Sequence, residues 1–436
     1  MNWKKLQNGS DIRGVALEGI EGEHVNLTPE VIETIAKSFV RWIRNAIGCQ
    51  TPKIAIGTDS RLSGATIKNA FIKGAVEAGA DIIDCSLAST PAMFMTTVND
   101  DVQATASVMV TASHLPYNRN GLKFFTPKGG LDNRDIADIL DIAERGDYAY
   151  DGAAGHSATL DFMTIYSSHI ADYICHGVHA DDYEHPLKGM HIVVDAGNGG
   201  GGFFERILSQ LGADTKGSQF LDPDGRFPNH IPNPENAEAM GSVCRAVADS
   251  NADLGVIFDT DVDRSAIIGR NGEPINRNAL IALIASVILE EHPHSTIVTD
   301  SVTSDGLADF ISRKGGRHHR YRRGYKNVIN EGIRLNEAGE ECWLAIETSG
   351  HAALRENYFL DDGAYLAAKL IVYAAKLFRE GRQVHEAIAS LKQPLESKEI
   401  RIKLTDPDFK AYGAAKLEEA KSKAATMPGW NIVEPN

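Results

Sequence analysis

Thirteen consecutive residues, Thr111-Ala112-Ser113-His114-Leu115-Pro116-Tyr117-Asn118-Arg119-Asn120-Gly121-Leu122-Lys123, offer a nucleophile, a base and a cation in one short stretch. A serine hydroxyl is a poor nucleophile unless a neighbour takes its proton, and His114 and Lys123 are the candidates. The apolar run Ala106 to Val110 just upstream is of the buried-strand type, and Pro116, Asn118, Asn120 and Gly121 downstream are turn formers. Ser113 therefore sits where a strand runs out into a loop. Taken alone, Ser113 and His114 would suit an ordinary turn with a surface histidine equally well, so the chemistry rests on what the rest of the chain supplies.

A second reactive stretch is Asp259-Thr260-Asp261-Val262-Asp263-Arg264, which follows the apolar run Leu254 to Phe258 directly. Alternate side chains of an extended segment point the same way, so the three carboxylates can share one ion. Without a cation among them they would repel one another. An EF-hand is excluded, because its sixth and twelfth positions need glycine and an acid where this loop has Arg264 and Arg270. Three oxygen donors, with phosphate as a further partner, suit Mg²⁺.

The elements that must position these groups follow a repeating α/β pattern. Thr28-Pro29-Glu30 is a helix start, with Val31, Ile35, Phe39 and Ile43 on one face. A strand from Lys53 to Gly57 runs into Asp59-Ser60-Arg61, and a helix from Ser63 and a strand from Asp81 to Cys85 follow. A Gly/Ala-rich linker ends the first domain, 1–157. The second, 158–277, holds a strand from His191 to Asp195 and then the turn Ala196-Gly197-Asn198-Gly199-Gly200-Gly201-Gly202. That turn satisfies G-x-G-x-x-G, but a run so rich in glycine matches the spacing readily and is weak evidence for a dinucleotide. The third domain, 278–394, carries Glu347-Thr348-Ser349-Gly350-His351 after a strand from Cys342 to Ile346. Residues 395–436 change texture, to an expected strand from Lys398 to Leu404, a helix from Phe409 to Ala424 and a final Trp430 to Val433.

A chain of 436 residues is expected to form two to four domains, and its 43% apolar and 24% charged content is that of a globular protein. The net charge of -15 leaves no basic surplus for a nucleic acid, so an anionic substrate must be met by a local cationic pocket. Five irregularly spaced cysteines with no C-x-x-C read as reduced thiols of a cytoplasmic protein. The first residues do not read as a signal peptide, and no apolar stretch is long enough to span a bilayer, so no membrane partner is expected.

The phrase T-A-S-H-x-P-x-x-x-N-G-x-K resembles the active-serine loop of the α-D-phosphohexomutases, the phosphoglucomutases and phosphomannomutases. The acidic loop, the Gly-Asn-Gly turn and the Glu347 phrase resemble other motifs of that family. The resemblance implies three consecutive related α/β layered domains around a central cleft. It also implies a partial fourth α+β domain, 395–436, in which the family's phosphate-clamp phrase is absent and hexose phosphate binding is expected to be weak. It implies a phosphoserine at Ser113, with Arg13, His114 and Lys123 as catalytic groups. Ser113, Asp259, Asp261 and Asp263 would hold one Mg²⁺ and Arg264 would face the phosphoserine. Glu347, Ser349 and His351 would read the sugar and Lys326 would reach the substrate. Thr260 and Val262 stand where many members have glycine, and Ile346 and Thr348 also depart from the usual spelling. The activity implied is interconversion of hexose 1-phosphate and hexose 6-phosphate, of glucose or mannose, with hexose 1,6-bisphosphate as activator, by a monomer or a dimer. Two alternatives are a haloacid-dehalogenase-like phosphatase using Asp259 with Asp361 and Asp362, and a sugar-phosphate-binding protein with impaired catalysis. The first leaves the Ser113, Gly-Asn-Gly and Glu347 phrases without a role.

Overall fold

Three sheets, one for each α/β unit, carry the loops singled out above. The computed structural model describes residues 2–396, 402, 404–406 and 408–430. The first sheet runs Gln7–Asn8, Asp11–Val15, Arg119–Thr126, Ala106–Val110, Lys53–Thr58, Asp81–Leu87, Ser157–Thr159, with Gly129–Gly130 paired to Arg119–Thr126. Its centre is parallel, with Lys53–Thr58 between Asp81–Leu87 and Ala106–Val110. Ala106–Val110 is buried throughout and Lys53–Thr58 along Ile54 to Gly57, whereas Asp81–Leu87, with Asp81, Asp84 and Ser86, is partly exposed. The second sheet is ordered Pro274–Ile275, Ser265–Gly269, Leu254–Phe258, Ile192–Asp195. The third is ordered Arg317–Tyr321, Thr296–Asp300, Cys342–Ile346, Ala352–Leu354, Leu360–Asp361.

Helix Pro29–Ala46 begins as its sequence dictates: the Thr28 hydroxyl accepts from the Val31 amide and Pro29 occupies the first turn. Ile32, Ile35, Phe39 and Ile43 form its buried face, while Val31 is only half-buried. The chain opens on a short hairpin pairing Gln7–Asn8 with Asp11–Val15. One expectation changes in the first unit. The expected linker ends in Ser157–Thr159, which pairs parallel with Asp81–Leu87 and carries the first sheet past residue 157.

One buried apolar cluster runs through all three units, from Phe94 and Phe125 through Phe204 and Phe258 to Ile346 and Leu370. The third unit also ties to both others by polar contacts. Tyr325 and Ser10 share a hydroxyl–hydroxyl hydrogen bond of 3.0 Å, and the Tyr166 hydroxyl donates to Asp362 at 2.7 Å. In each unit the reactive loop leaves the carboxyl end of a strand: Ala106–Val110 before Ser113, Leu254–Phe258 before Asp259, Cys342–Ile346 before Glu347. Helix Phe409–Ala424 forms where expected, whereas the expected strand from Lys398 falls mostly, and Asn431 to Val433 wholly, outside the described residues.

Candidate active site

The serine loop is held from behind by side chains that follow the carboxyl end of the neighbouring parallel strand Lys53–Thr58. Ser113 has φ +52°, a left-handed conformation that a non-glycine residue keeps only when its surroundings impose it. Here the imposing group is Arg61, whose buried guanidinium donates to four backbone carbonyls. They are those of Ser113, of Leu115 at 2.6 Å, of Pro116 at 2.8 Å and of Arg119 at 3.0 Å. Its Nε lies 3.3 Å from Asp59. Asp59 accepts from the Thr111 hydroxyl at 2.6 Å, and the same hydroxyl oxygen accepts from the Ser113 amide at 2.9 Å. Burial pushes the Asp59 carboxyl up to about 6 against the pull of Arg61 and Thr111. Arg61, Asp59 and Thr111 had no assigned role from sequence. The available signal was a charged pair at the carboxyl end of a parallel strand.

After the loop the chain returns as strand Arg119–Thr126, so Asn120 and Gly121, expected in a turn, lie on a strand together with Lys123. Gly121 is required there, because a Cβ would stand 2.3 Å from the Ile12 carbonyl oxygen. Arg13 pairs opposite Gly121, with its guanidinium on Asp11 at 2.8 Å and on the Ala112 carbonyl at 3.3 Å.

The acidic loop meets the serine directly. The Ser113 hydroxyl donates to Asp259 Oδ2 at 3.2 Å, and Arg264 Nη2 donates to Ser113 Oγ at 3.1 Å and to Asp259 Oδ2 at 2.9 Å. Lys123 is buried between Asp261 at 2.9 Å and Asp263 at 2.5 Å. Burial pulls its ammonium down, but the two carboxylates outweigh that and hold it well above the ordinary lysine value. His114 is exposed, yet its Nδ1 lies 3.2 Å from Ser113 Oγ and 2.8 Å from Arg264 Nη2. Burial of that edge, with the Arg264 and Arg13 charges, keeps the imidazole neutral by lowering its pKa.

The donor set fits a divalent cation. Ligand atoms of Asp259, Asp261 and Asp263 lie within 4.8 Å of one another. Asp261 Oδ1 and Asp263 Oδ1 are buried with no hydrogen-bond partner, at a typical cost of ~1–3 kcal/mol per unsatisfied group. Burial, with repulsion from Asp263 and Asp261, also pushes the Asp259 carboxyl well up. Positive charge among the three would relieve both. The loop is supported by Thr90, whose hydroxyl donates to Asp261 Oδ2 at 2.5 Å, and by the glycine turn. A Cβ on Gly199 would stand 2.7 Å from the Thr260 carbonyl oxygen, and the Gly200 amide donates to that carbonyl at 2.8 Å. The G-x-G-x-x-G run thus serves close packing against the acidic loop.

The third unit joins through His351. Its Nδ1 lies 2.9 Å from Ser349 Oγ, its Nε2 is 3.6 Å from Asp263, and its ring stacks on Tyr325 with centroids 5.1 Å apart. The Ser349 hydroxyl donates to Glu347 Oε2 at 3.2 Å, and Glu347 Oε1 accepts from the Gly324 amide at 2.6 Å. Lys326 is not brought into this group: its ammonium donates to the Gly130 carbonyl at 2.7 Å and lies 3.7 Å from Asp132. Asp361, with no role in the leading reading, groups with Asp263 and His351, while Asp362 caps helix Gly363–Arg379.

A serine, a cation-seeking carboxylate trio and a polar loop converging from three α/β units make a site for group transfer on a layered scaffold. Residues 4–149, 166–272 and 276–394 match, in order, the family models for phosphoglucomutase/phosphomannomutase α/β/α domains I, II and III. A phosphomannomutase/phosphoglucomutase of Pseudomonas aeruginosa is 30% identical over 381 residues, covering 86% of this chain and 77% of that protein. A phosphoglucomutase/phosphomannomutase of Thermococcus kodakarensis is 31% identical over 438 residues, 98% of this chain and 90% of that protein. A crystal structure of a phosphoglucomutase/phosphomannomutase family protein from Burkholderia thailandensis superposes with a TM-score of 0.73 at 25% identity, over 88% of this chain and 79% of that one. The chain belongs to the phosphoglucomutase/phosphomannomutase family and is a phosphohexomutase, an isomerase-class phosphotransferase. Neither the phosphatase nor the non-catalytic reading draws support from these matches.

Proposed function

We propose that this phosphohexomutase interconverts the 1- and 6-phosphates of glucose or mannose in the cytoplasm, with Ser113 as the residue that carries the phosphoryl group. The observation that carries the reading is the meeting of Ser113 Oγ with Asp259 at 3.2 Å and Arg264 at 3.1 Å in a buried, cation-seeking site. Ser113, Asp259, Asp261 and Asp263 would hold Mg²⁺, which when bound supplies neutralisation of the charge on the transferring phosphoryl group.

In the forward half-reaction the P–O bond to Ser113 Oγ breaks and a P–O bond to a hexose hydroxyl forms. The Arg264 guanidinium, already on Ser113 Oγ, is placed to neutralise the charge left on that oxygen. Neutral His114 is the group able to accept the hydroxyl proton, and charged Lys123 the group able to give one. The product is a hexose 1,6-bisphosphate, and the reverse step from its other end returns a phosphoryl group to Ser113. Glu347, Ser349 and His351 would hold ring hydroxyls while the sugar turns over. The absence, among the described residues, of any helix long and apolar enough to cross a membrane is compatible with that location, as are the five free cysteines.

The test is intact-mass measurement of the purified protein after exposure to glucose 1,6-bisphosphate, with peptide mapping. One phosphate on Ser113, lost together with mutase activity in Ser113→Ala, is the expected outcome. A phosphate on Asp259 would overturn the proposal in favour of a phosphatase.

A further inference from the structure

Arg264, buried beside the reacting serine, meets it with one edge of its guanidinium. Nη2 donates to Ser113 Oγ at 3.1 Å and to Asp259 Oδ2 at 2.9 Å, and it stands 2.8 Å from His114 Nδ1. Nε donates to the same Asp259 oxygen at 3.1 Å. Each of these partners changes as the reaction runs. Ser113 Oγ gains and loses a phosphoryl group, Asp259 would ligate Mg²⁺, and neutral His114 can take up a proton. An arginine tethered only to such groups would follow them, because its long side chain has many rotamers open to it.

Nη1 is tied elsewhere. Its one partner among the described residues is Asn233 Oδ1 at 3.2 Å. The same oxygen accepts from the Glu235 amide at 3.0 Å, so two donors fix which end of the Asn233 amide faces Arg264. Asn233 carries no charge, does not titrate, and among the described residues bonds to neither Ser113 nor the three aspartates. The backbone beneath it is stiff. Asn233 lies between Pro232 and Pro234, which fix their own φ, and the second also restricts the residue before it. Pro232 packs on the glycine turn, where a Cβ on Gly197 would stand 2.8 Å from Pro232 Cβ. The ends of the loop are anchored by His230 on Asp195 at 3.0 Å and by Asn236, whose side chain accepts from the Glu238 and Ala239 amides at 3.0 Å and caps helix Ala237–Ser250.

We infer that Asn233 is a positioning residue for phosphoryl transfer, pinning Nη1 of Arg264 so that Nη2 stays on Ser113 Oγ while its other partners change. The inference rests on the mutase reading. A neutral acceptor suits the task, because it fixes the guanidinium without cancelling the charge that must face the transferring phosphoryl group.

The experiment compares wild type, Asn233→Ala and Asn233→Asp, with Asn233→Ala also placed in an Arg264→Lys background. The measurements are crystal structures of the unphosphorylated enzymes, single-turnover transfer of phosphate from glucose 1,6-bisphosphate to Ser113, and steady-state kinetics with glucose 1-phosphate, all rates taken per folded enzyme. Asn233→Ala is expected to release Arg264 from Ser113 Oγ and to slow transfer and kcat by about 10- to 100-fold, the cost of a displacement of up to about 1 Å, with KM near wild type. Asn233→Asp should keep Arg264 in place and recover part of the rate. Arg264→Lys has no Nη1 to hold, so adding Asn233→Ala to it should slow transfer no further. An Arg264 that stays on Ser113 Oγ in Asn233→Ala, a wild-type rate in that variant, or equal slowing in both backgrounds would overturn the inference. Release of Arg264 in Asn233→Ala, in a protein whose wild type takes no phosphate from glucose 1,6-bisphosphate, would overturn the mutase reading alone.

Discussion

Replacing Arg61 by lysine tests how the reactive serine is held. The change keeps a positive charge near Asp59 but removes the planar fork that reaches the carbonyls of Ser113, Leu115, Pro116 and Arg119. A lysine ammonium offers three donors from one point and cannot span four carbonyls laid out along seven residues of loop. At least one or two buried carbonyls go unpaired, each costing ~1–3 kcal/mol, so a loss of about 2–4 kcal/mol in unfolding free energy is expected. The loss of turnover has a separate origin. Ser113 keeps φ +52° because the loop is gripped, and residues so held carry roughly 1–3 kcal/mol of strain that drives them back to ordinary backbone once released. A shift of about 1 Å at the nucleophile is worth roughly 10²-fold in rate. Arg61 touches no reacting atom, so KM for glucose 1-phosphate should stay near wild type while kcat falls. Urea denaturation gives the first quantity and steady-state kinetics on the folded fraction gives the second. An Arg61→Lys enzyme with wild-type kcat, or one in which KM rises and kcat holds, would show that the serine loop stands without this grip.

Three further outcomes are expected. Asp261→Asn should weaken Mg²⁺ binding in a metal titration, because one of the three clustered carboxylates is gone, and should lower the thermal midpoint measured in chelator, because the buried Lys123 ammonium loses one of its two carboxylates; an unchanged Mg²⁺ dependence would count against the ligand set. Val262 is fully buried at φ +66°, so Val262→Gly should melt no lower than Val262→Ala, reversing the usual order in which glycine is worse by about 0.5–1 kcal/mol; an alanine variant clearly the more stable would mean that the conformation carries no strain. His230 has both ring nitrogens on acceptors, Asp195 at 3.0 Å and the Ile231 carbonyl at 3.0 Å. Burial pulls its pKa down, but Asp195, with Glu238 further off, outweighs that and raises it. Its contribution is therefore complete below the ordinary histidine value and lost as pH rises through the raised folded one, so thermal midpoint should fall over that window in wild type and less in His230→Gln; parallel curves would remove His230 from the account.

The parts of the site legible in the sequence are those whose chemistry is local. Ser113 could be placed at a strand end because five apolar residues precede it and turn formers follow. Asp259, Asp261 and Asp263 could be grouped because alternate residues of an extended segment share a side. What could not be read is what depends on a second segment. Nothing in Asp59-Ser60-Arg61 announces that its guanidinium will close on carbonyls more than fifty residues later. Lys326, expected at the substrate from the family resemblance, meets Gly130 of the first unit, and only the packing of the third unit against the first decides that. Asn120 and Gly121 pass as turn residues by composition. They form a strand because Gly121 lets Asp11–Val15 and Ala106–Val110 approach closely on either side.

The acidic loop shows why local rules failed where they did. Valine disfavours positive φ more strongly than almost any residue, so no propensity argument places Val262 at +66°. The backbone is fixed instead by partners from two other segments. The Gly363 amide donates to the Val262 carbonyl at 3.0 Å and the Gly200 amide to the Thr260 carbonyl at 2.8 Å, while within the loop the Asp259 amide reaches the Arg264 carbonyl at 3.3 Å. A side chain would collide at Gly363 with Arg264, and at Gly199, the neighbour of the donating Gly200, with Thr260. The flexibility that this loop lacks in its own sequence is thus supplied by glycines in its neighbours, which press it into the shape that gathers three carboxylates and sets Asp259 on Ser113. Ser113 is treated in the same way from the opposite side, by Arg61. Two non-glycine residues forced into left-handed backbone, one on each loop of the reacting pair, are the pattern expected when a site is assembled by packing around it and not by the preferences of the residues within it.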